Sequence, residues 1–362
     1  MRNPITTVLV ILVLCVAAFG QKLVKPTLIS QAPTVEQQAT IAEGIKLHDA
    51  KRYDEALAKY KAVLTENPDC TSAMYEMCMT LYAKGEKEKA MELANRGSKY
   101  ISDELPLFYG TMADILDDYG KPQEAINIYL EGLKLLAGDP KFARYRSSNY
   151  YNLGVTYFKL KKYKEAREVL KSAVENDYMY ASPHYLLAAV YSGTNYRIPA
   201  LLAASRFVTV EYKTQRSANA AAIIVDVLKP PQTDPNSGNI NIILDANSPK
   251  DEGDFDGINL ILPMMMAGRG EKDKNKTSKE LFIDAIDTVI ALVSEDKKLP
   301  STFVGKKYLP FLREMKSRGY VEPFGYMVMY LSGDHSAKPW LAANDAKLSE
   351  FLKWADAYRP VK

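Results

Sequence analysis

Residues 147–180 read SSNYYNLGVTYFKLKKYKEAREVLKSAVENDYMY, and this stretch decides the fold. It combines aromatic, leucine and small residues at fixed spacing within a window of 34 residues. The residues that carry the pattern, at window positions 4, 7, 8, 11, 20, 24 and 27, are Tyr150, Leu153, Gly154, Tyr157, Ala166, Leu170 and Ala173.

The same window recurs along the chain, with starts near residues 37, 71, 106, 147 and 181. Two positions stay small in every copy, and such residues are required where two helices pack closely, because a large side chain would push them apart. Seven extra residues around Gly138-Asp139-Pro140 precede the fourth copy. Position 8 is Gly44, Cys78, Ala113, Gly154 and Ala188, and position 20 is Ala56, Ala90, Ala125, Ala166 and Ala200.

This pattern resembles the tetratricopeptide repeat, a family whose unit is a pair of antiparallel helices. The resemblance implies an all-α fold, a solenoid of about five helix pairs over residues 37–214. One pair cannot bury its own apolar face, so several must stack. The tyrosines are concentrated accordingly, since 19 of the 24 lie between Tyr53 and Tyr212.

The resemblance also implies a binding groove, which the family lines with positions 2, 5, 9 and 12 of each first helix, with position 6 at its edge. Chaperone-binding members hold a C-terminal carboxylate with Lys at position 5 and Asn at position 9. Position 5 here is Ile41, Tyr75, Gly110, Tyr151 or Tyr185, so that clamp is absent. The candidate groove residues are Tyr75, Met79, Tyr82, Asp114, Asp117, Tyr151, Asn152, Val155, Phe158 and Tyr185.

The first twenty residues predict a secretory signal peptide. Arg2 supplies the positive charge, Ile5–Ala18 is apolar apart from two threonines, and Ala18 and Gly20 are the small residues of a cleavage site. The apolar run is shorter than the roughly 20 residues that span a bilayer. A retained membrane anchor and a lipid-modified Cys15 are the alternatives.

Export predicts a periplasmic or outer-membrane-associated protein. Once the signal peptide is cleaved, only Cys70 and Cys78 remain, eight residues apart. Two helical turns would separate them by about 12 Å along the axis, which is too far for a disulfide. We therefore expect two buried thiols.

The repeat period ends after Thr214. Residues 215–257 predict a helix (Ala218–Leu228) that caps the solenoid, then a linker in which Ile240–Leu244 is a candidate strand. Residues 258–362 predict a smaller, mainly helical C-terminal domain. Exported repeats followed by such a domain resemble uncharacterised envelope proteins of Gram-negative bacteria.

Within the C-terminal domain, Thr277 and Glu280 form a capping box that predicts a helix to about Val293. Further helices are predicted at Val304–Ser317, Pro323–Leu331 and Ala342–Tyr358. Trp340, Leu348, Phe351, Trp354 and Tyr358 are predicted core residues, and the run Met264–Met266 is interpreted as core packing.

The sequence offers little chemistry. Its net charge of +3, from 47 basic and 44 acidic side chains, does not indicate nucleic-acid binding. The motifs GxSxG, HExxH, GxxxxGK[ST] and CxxC are missing. We expect a partly buried or groove-facing role for His48 and His184, and Asp334-His335-Ser336 is weak evidence for catalysis, because triad members seldom adjoin in sequence.

An acidic stretch before residue 257 is predicted to be a solvated turn rather than a calcium loop. Pro263 stands where a calcium loop of the EF-hand type needs a bidentate Glu. The stretch comprises Asp251, Glu252, Asp254 and Asp256. No metal and no cofactor is therefore expected.

These observations predict a non-enzymatic, exported scaffold that binds a protein or peptide partner through a tyrosine-rich groove, with association to the cell envelope. A ligand-binding module for peptide or glycan is the first alternative, and a hydrolase or metal-dependent enzyme in the C-terminal domain is the second. The groove tyrosines could instead pack against a C-terminal domain folded into the groove. The sequence leaves these alternatives open.

Overall fold

The computed structural model describes residues 23–230, 248–267, 273 and 275–360. The predicted signal peptide and the candidate strand Ile240–Leu244 lie outside these residues. The chain divides into two compact units, which are described separately. The first unit runs to Ile101 and includes Thr111–Gly132, and the second comprises Ser102–Gly110 and the residues from Leu133 onward.

The fold is all-α and built from helix pairs, as the resemblance implied. Each of the five windows coincides with two successive helices, α1 with α2 through α9 with α10, and α11 follows in the region where a capping helix was predicted. These helices are α1 (Val35–Asp49), α2 (Tyr53–Glu66), α3 (Thr71–Lys84), α4 (Lys87–Gly97), α5 (Leu105–Asp118), α6 (Pro122–Leu135), α7 (Ala143–Lys159), α8 (Tyr163–Asn176), α9 (Ala181–Gly193), α10 (Arg197–Val210) and α11 (Gln215–Val227).

The small positions lie at the contact between the two helices of a pair. A Cβ atom added at Gly44 would lie 2.4 Å from the ring of Tyr60, and one at Gly154 would lie 2.7 Å from Leu170. The thiol of Cys78 donates a hydrogen bond to the carbonyl of Ala90 at 3.2 Å, which joins position 8 to position 20. The five alanines at position 20 are fully buried. The predicted register is therefore confirmed by the packing.

The turn inside each pair repeats one backbone feature. Position 15 of every window has a positive φ: Lys51, Gly85, Gly120, Lys161 and Asn195. Only Gly adopts this region without steric cost, so the turns at Lys51 and Lys161 are strained. The shared conformation shows that all five pairs reverse direction in the same way, even where the residue is not glycine.

An extended segment precedes the first helix pair. Leu28–Ile29 forms strand β1, which pairs in parallel with β2 (Tyr100–Ile101). The backbone N–H of Gln31 donates to the carbonyl of Asp69 at 3.0 Å. Segments between repeats of the first unit therefore hold this extended chain in place, although the sequence analysis did not predict it.

The remaining helices only partly match their predictions. The capping box at Thr277 is confirmed, and its helix ends two residues later than predicted. The helix predicted over Val304–Ser317 is interrupted at Tyr308, because Pro310 cannot continue a helix from the preceding turn. The helices are α12 (Asp256–Ala267), α13 (Ser278–Glu295), α14 (Phe303–Lys307), α15 (Leu309–Ser317), α16 (Val321–Leu331), α17 (Lys338–Ala343) and α18 (Asp345–Ala357).

Two expectations about apolar residues fare differently. Phe351 and Tyr358 are buried as predicted, and Trp340 stacks on Tyr326 with 4.1 Å between ring centres. The interpretation of the methionine run as core is wrong for Met264 and Met265, which are about half exposed on α12 (52% and 53%). The sequence analysis did not predict that helix, which contains Pro263.

One apolar core of the second unit includes residues from Ala166 to Tyr358. It therefore contains side chains on both sides of the domain boundaries predicted at residues 214 and 257, and those boundaries stay predictions. Among the described residues, no helix combines the length and the apolar composition that crossing a bilayer requires.

Candidate functional site

Five of the ten predicted groove residues belong to the first unit, where α3 and α5 carry them. The hydroxyl of Thr111 donates to the sulfur of Met79 at 3.6 Å, so the two helices lie side by side there. All five are half-buried. We call them the first tyrosine surface: Tyr75, Met79 and Tyr82 on α3, with Asp114 and Asp117 on α5.

Hydrogen bonds fix the polar groups of the first tyrosine surface. The Tyr82 hydroxyl donates to Asp118 at 2.8 Å, and Asp118 also pairs with Lys87 at 3.0 Å. Asp114 accepts a hydrogen bond from the hydroxyl of Tyr129. Burial and then the hydrogen bond with Asp118 raise the pKa of Tyr82, so its hydroxyl stays a hydrogen-bond donor at neutral pH.

The other five predicted residues belong to the second unit, on α7 and α9. Tyr151 packs edge to face against Tyr180, with 5.5 Å between ring centres. Tyr185 packs against Phe207 at 5.0 Å, and Phe158 is more than one-third exposed. We call these residues the second tyrosine surface: Tyr151, Asn152, Val155, Phe158 and Tyr185.

Helix α11 adds residues to the second tyrosine surface that the sequence analysis missed. The amide of Asn219 donates to the Tyr185 hydroxyl at 3.2 Å, and the guanidinium of Arg216 lies 5.6 Å from the centre of the Tyr185 ring. A signal for them existed. Continuing the 34-residue step from 181 gives a sixth window at 215, whose positions 2 and 5 are Arg216 and Asn219.

Arg216 is the charged centre of this surface. Its Nε donates to Glu211 at 3.0 Å and its Nη1 donates to the hydroxyl of Ser182 at 3.0 Å. The hydrogen bond with Glu211 raises the pKa of Arg216 despite partial burial. The surface therefore combines half-exposed aromatic rings with an arginine whose charge is already balanced.

His184 lies in the protein core, and His335 begins a short helical turn. His184 is fully buried, where its Nε2 donates to the carbonyl of Tyr178 at 2.9 Å and its Nδ1 accepts from Tyr308 at 3.0 Å. The Ser336 hydroxyl donates to Asp334 rather than to His335, and the Asp334 carboxylate caps the short helical turn that begins at His335. No group of three or more His, Cys, Asp or Glu side chains in the described parts of the chain could hold a metal ion.

The acidic stretch is only partly a solvated turn. Glu252 is buried and accepts a hydrogen bond from Lys171 at 2.9 Å, and Asp251 pairs with Arg167. Asp254 and Asp256 remain half-exposed or exposed and pair with Lys250. The expectation of a solvated turn is therefore wrong for Glu252, because two cations of α8 draw its carboxylate into the protein.

Comparison with known families agrees with the helix pairs. Residues 47–115 and residues 147–178 each match a family model described as tetratricopeptide repeat. No curated protein matches the chain. Because tetratricopeptide repeats build extended interaction surfaces, they support a role as a protein–protein interaction scaffold.

Among solved structures, the chain is similar to PilF of Pseudomonas aeruginosa, with 17% identity and a TM-score of 0.45 over 53% of this chain and 83% of that one. It is also similar to a thermophilic tetratricopeptide repeat protein of Thermus thermophilus, with 17% identity and a TM-score of 0.42 over 52% and 99%. The family matches fall on α1–α5 and on α7 and α8, whose packing follows the repeat register. The chain therefore contains tetratricopeptide repeats.

Proposed function

We propose that this protein is a non-enzymatic, exported scaffold that holds a protein or peptide partner on its two tyrosine surfaces. All ten predicted residues are half-buried or exposed, so their side chains remain available for contact. Tyrosine offers a large apolar ring with a polar end and few torsions to freeze, which suits a rigid binding anchor.

The second tyrosine surface carries the proposal. Tyr151 contacts Tyr180 at the end of the fourth window, and Tyr185 contacts Phe207 on α10 and Asn219 on α11. Tyr151 and Tyr185 also pack against the apolar core of the second unit, yet both stay half-buried. Rings that are held in place but still partly exposed suit anchors prepared for a partner. Aromatic anchors of this kind commonly dominate an interface, at about 2 kcal/mol or more each.

Replacing both anchors tests the proposal. The wild-type protein captures a certain amount of partner from its native envelope fraction. We expect the double variant Tyr151→Ala/Tyr185→Ala to capture about one tenth of that amount or less. Its helix content and melting temperature should change little. Tyr330→Ala is the matched control, because Tyr330 is a half-exposed tyrosine on α16.

The opposite result has a definite meaning. If the double variant melts far lower while the same partners are still captured in equal amount, the tyrosines serve packing. The second tyrosine surface would then be removed from the candidate binding sites.

Export is tested separately. We expect the mature protein to begin at Gln21 or within a few residues of it. Intact mass measured on protein from its own host checks this expectation, and a mass that includes residues 1–20 contradicts it. A lipid on Cys15 would convert the protein into an anchored one.

A further inference from the structure

An extended segment lies along one edge of the first unit. Residues 23–32 precede α1 and cross the ends of three successive helix pairs. They contact the loop between α2 and α3, the residues that follow α4, and helix α6. The segment and the groups that hold it all belong to the first unit. We call residues 23–32 the N-terminal strap.

The first unit holds the N-terminal strap mainly by the backbone of the strap. The N–H groups of Thr27 and Leu28 both donate to the carbonyl of Lys99 at 3.0 Å, and β1 then pairs with β2. The N–H of Leu23 donates to the carboxylate of Glu131 at 2.8 Å. Contacts of this kind recognise an extended chain more than particular side chains, as in binding by strand addition.

One side chain of the N-terminal strap makes a specific contact. The hydroxyl of Ser30 lies 2.6 Å from the hydroxyl of Thr71, and it donates to the carbonyl of Asp69 at 3.3 Å. The N–H of Gln31 donates to the same carbonyl at 3.0 Å. An extended segment that binds here is therefore favoured to carry a small hydroxyl residue opposite Thr71.

Apolar burial contributes little to holding the N-terminal strap. Val24 is 76% exposed, Leu28 is 45% exposed and Ile29 is 71% exposed. Burial of apolar surface is the dominant favourable force in folding and association. A segment with few buried apolar contacts opens at low free-energy cost. We therefore expect the strap to leave this edge more readily than a helix pair leaves the solenoid.

We propose that this edge of the first unit is a binding site for an extended peptide segment of a partner, which the N-terminal strap occupies until it is displaced. The segment that fits offers its backbone in strand conformation beside β2 and a serine or threonine opposite Thr71. The site is separate from the two tyrosine surfaces, because its main acceptors are backbone carbonyls between the helix pairs.

The test uses a synthetic peptide of residues 23–32, acetylated at its N-terminus and labelled with a fluorophore at its C-terminus. Fluorescence anisotropy measures its binding to the mature wild-type chain and to a variant that lacks residues 21–32. We expect saturable binding to the shortened variant. Binding to the wild type should be at least about tenfold weaker, because the linked strap competes at a high effective concentration.

Two methylated peptides test how the segment is held. N-methylation at Leu28 removes a donor to the Lys99 carbonyl, and we expect binding to the shortened variant to weaken about fivefold or more. N-methylation at Val24 is the matched control, because the described chain offers no hydrogen-bond partner to the Val24 N–H. The control peptide should bind as the unmodified peptide does.

A second variant keeps the test decisive if the shortened chain does not fold. Thr27→Pro/Leu28→Pro retains the whole chain and removes both donors to Lys99, so it should also bind the free peptide. The proposal is overturned if neither variant binds the peptide, if the wild type binds it as tightly as they do, or if the two methylated peptides bind equally. Loss of helix content in the proline variant would also overturn it, since the strap would then be an integral part of the first unit.

Discussion

Two arginines are buried in the second unit, and their surroundings differ. Arg167 on α8 is 4% exposed and lies among acidic groups. It pairs with Asp251, and its Nε is 3.6 Å from Glu252. Its guanidinium also lies 4.4 Å from the centre of the Tyr196 ring.

Arg206 on α10 is fully buried without such partners. No carboxylate among the described residues lies within 4 Å of its guanidinium. The group faces the rings of Tyr178 and Phe311 at 4.7 and 5.0 Å, and its Nη1 donates to the carbonyl of Ala355 at 2.9 Å.

The two sites show two ways of keeping a cation out of water. Burial alone would lower the pKa of Arg167, but the hydrogen bond with Tyr196 and the charge of Asp251 raise it. At Arg206 burial prevails and lowers the pKa. At Arg167, carboxylates of opposite charge replace the water that would surround the guanidinium. At Arg206, aromatic ring faces and a backbone carbonyl replace it.

The acid-paired site should give the larger effect when it is broken. In Arg167→Met/Lys171→Met, the buried carboxylate of Glu252 loses both neighbouring cations. Breaking a buried ion pair from one side costs about 3–5 kcal/mol, and we expect a loss of this order in the free energy of unfolding. Urea denaturation of the purified chain measures it.

Removing the stranded charge provides the control. Adding Glu252→Gln to the double variant should recover at least half of the loss, because no uncompensated carboxylate then remains buried. If Glu252→Gln restores nothing, the loss reflects packing of the two long side chains, and the charge pairing was not its cause.

The surroundings of Arg206, which include His184, should instead make the stability of the protein depend on pH. Burial, and then the charge of Arg206, lower the pKa of His184 to about 3. The unfolded chain binds this proton near pH 6.5. The contribution of His184 to the free energy of unfolding is therefore complete above pH 6.5. It falls by about 1.4 kcal/mol per pH unit as the pH decreases toward 3.

Between pH 7 and pH 5 this effect amounts to a loss of about 2 kcal/mol. The glutamine of His184→Gln cannot take up the proton. Between pH 7 and pH 5 the variant should therefore lose about 2 kcal/mol less unfolding free energy than the wild type does. Denaturation curves of both proteins at the two pH values supply the comparison. Parallel decreases in the two proteins would show that other groups cause the acid sensitivity.

The sequence predicted the repeats well because their constraints are local and repeated. Ala56 and Ala166 are fully buried at the helix contacts, where the 34-residue window places them. Turns were harder, since Lys51 adopts the same positive φ as Gly85 although its side chain gives no such signal. Residue type alone therefore does not mark this position as a turn with positive φ.

The candidate site and the later helices were predicted less completely. The ten residues of the two tyrosine surfaces occupy half-buried or exposed positions. Arg216 was missed because it follows Thr214, where the repeat period was predicted to end. The pairing of Glu252 with Lys171 joins residues 81 positions apart. No periodicity encodes such a contact, and the same holds for Arg206 and Ala355.

The smallest expected effect sharpens the comparison most. Arg206→Met removes a buried charge without stranding an opposite one, and it keeps an unbranched side chain of adaptable shape. The substitution loses the ring contacts and the hydrogen bond to Ala355, but it also removes the cost of burying a guanidinium. We expect the unfolding free energy to change by no more than about 1 kcal/mol. Arg206→Lys should cost more, because it keeps a charge and loses the planar group that stacks on Tyr178 and Phe311. The contrary result is that Arg206→Met destabilises the protein as strongly as the double variant at Arg167 and Lys171. Ring faces and a carbonyl would then offset the cost of burying a guanidinium as fully as carboxylates do.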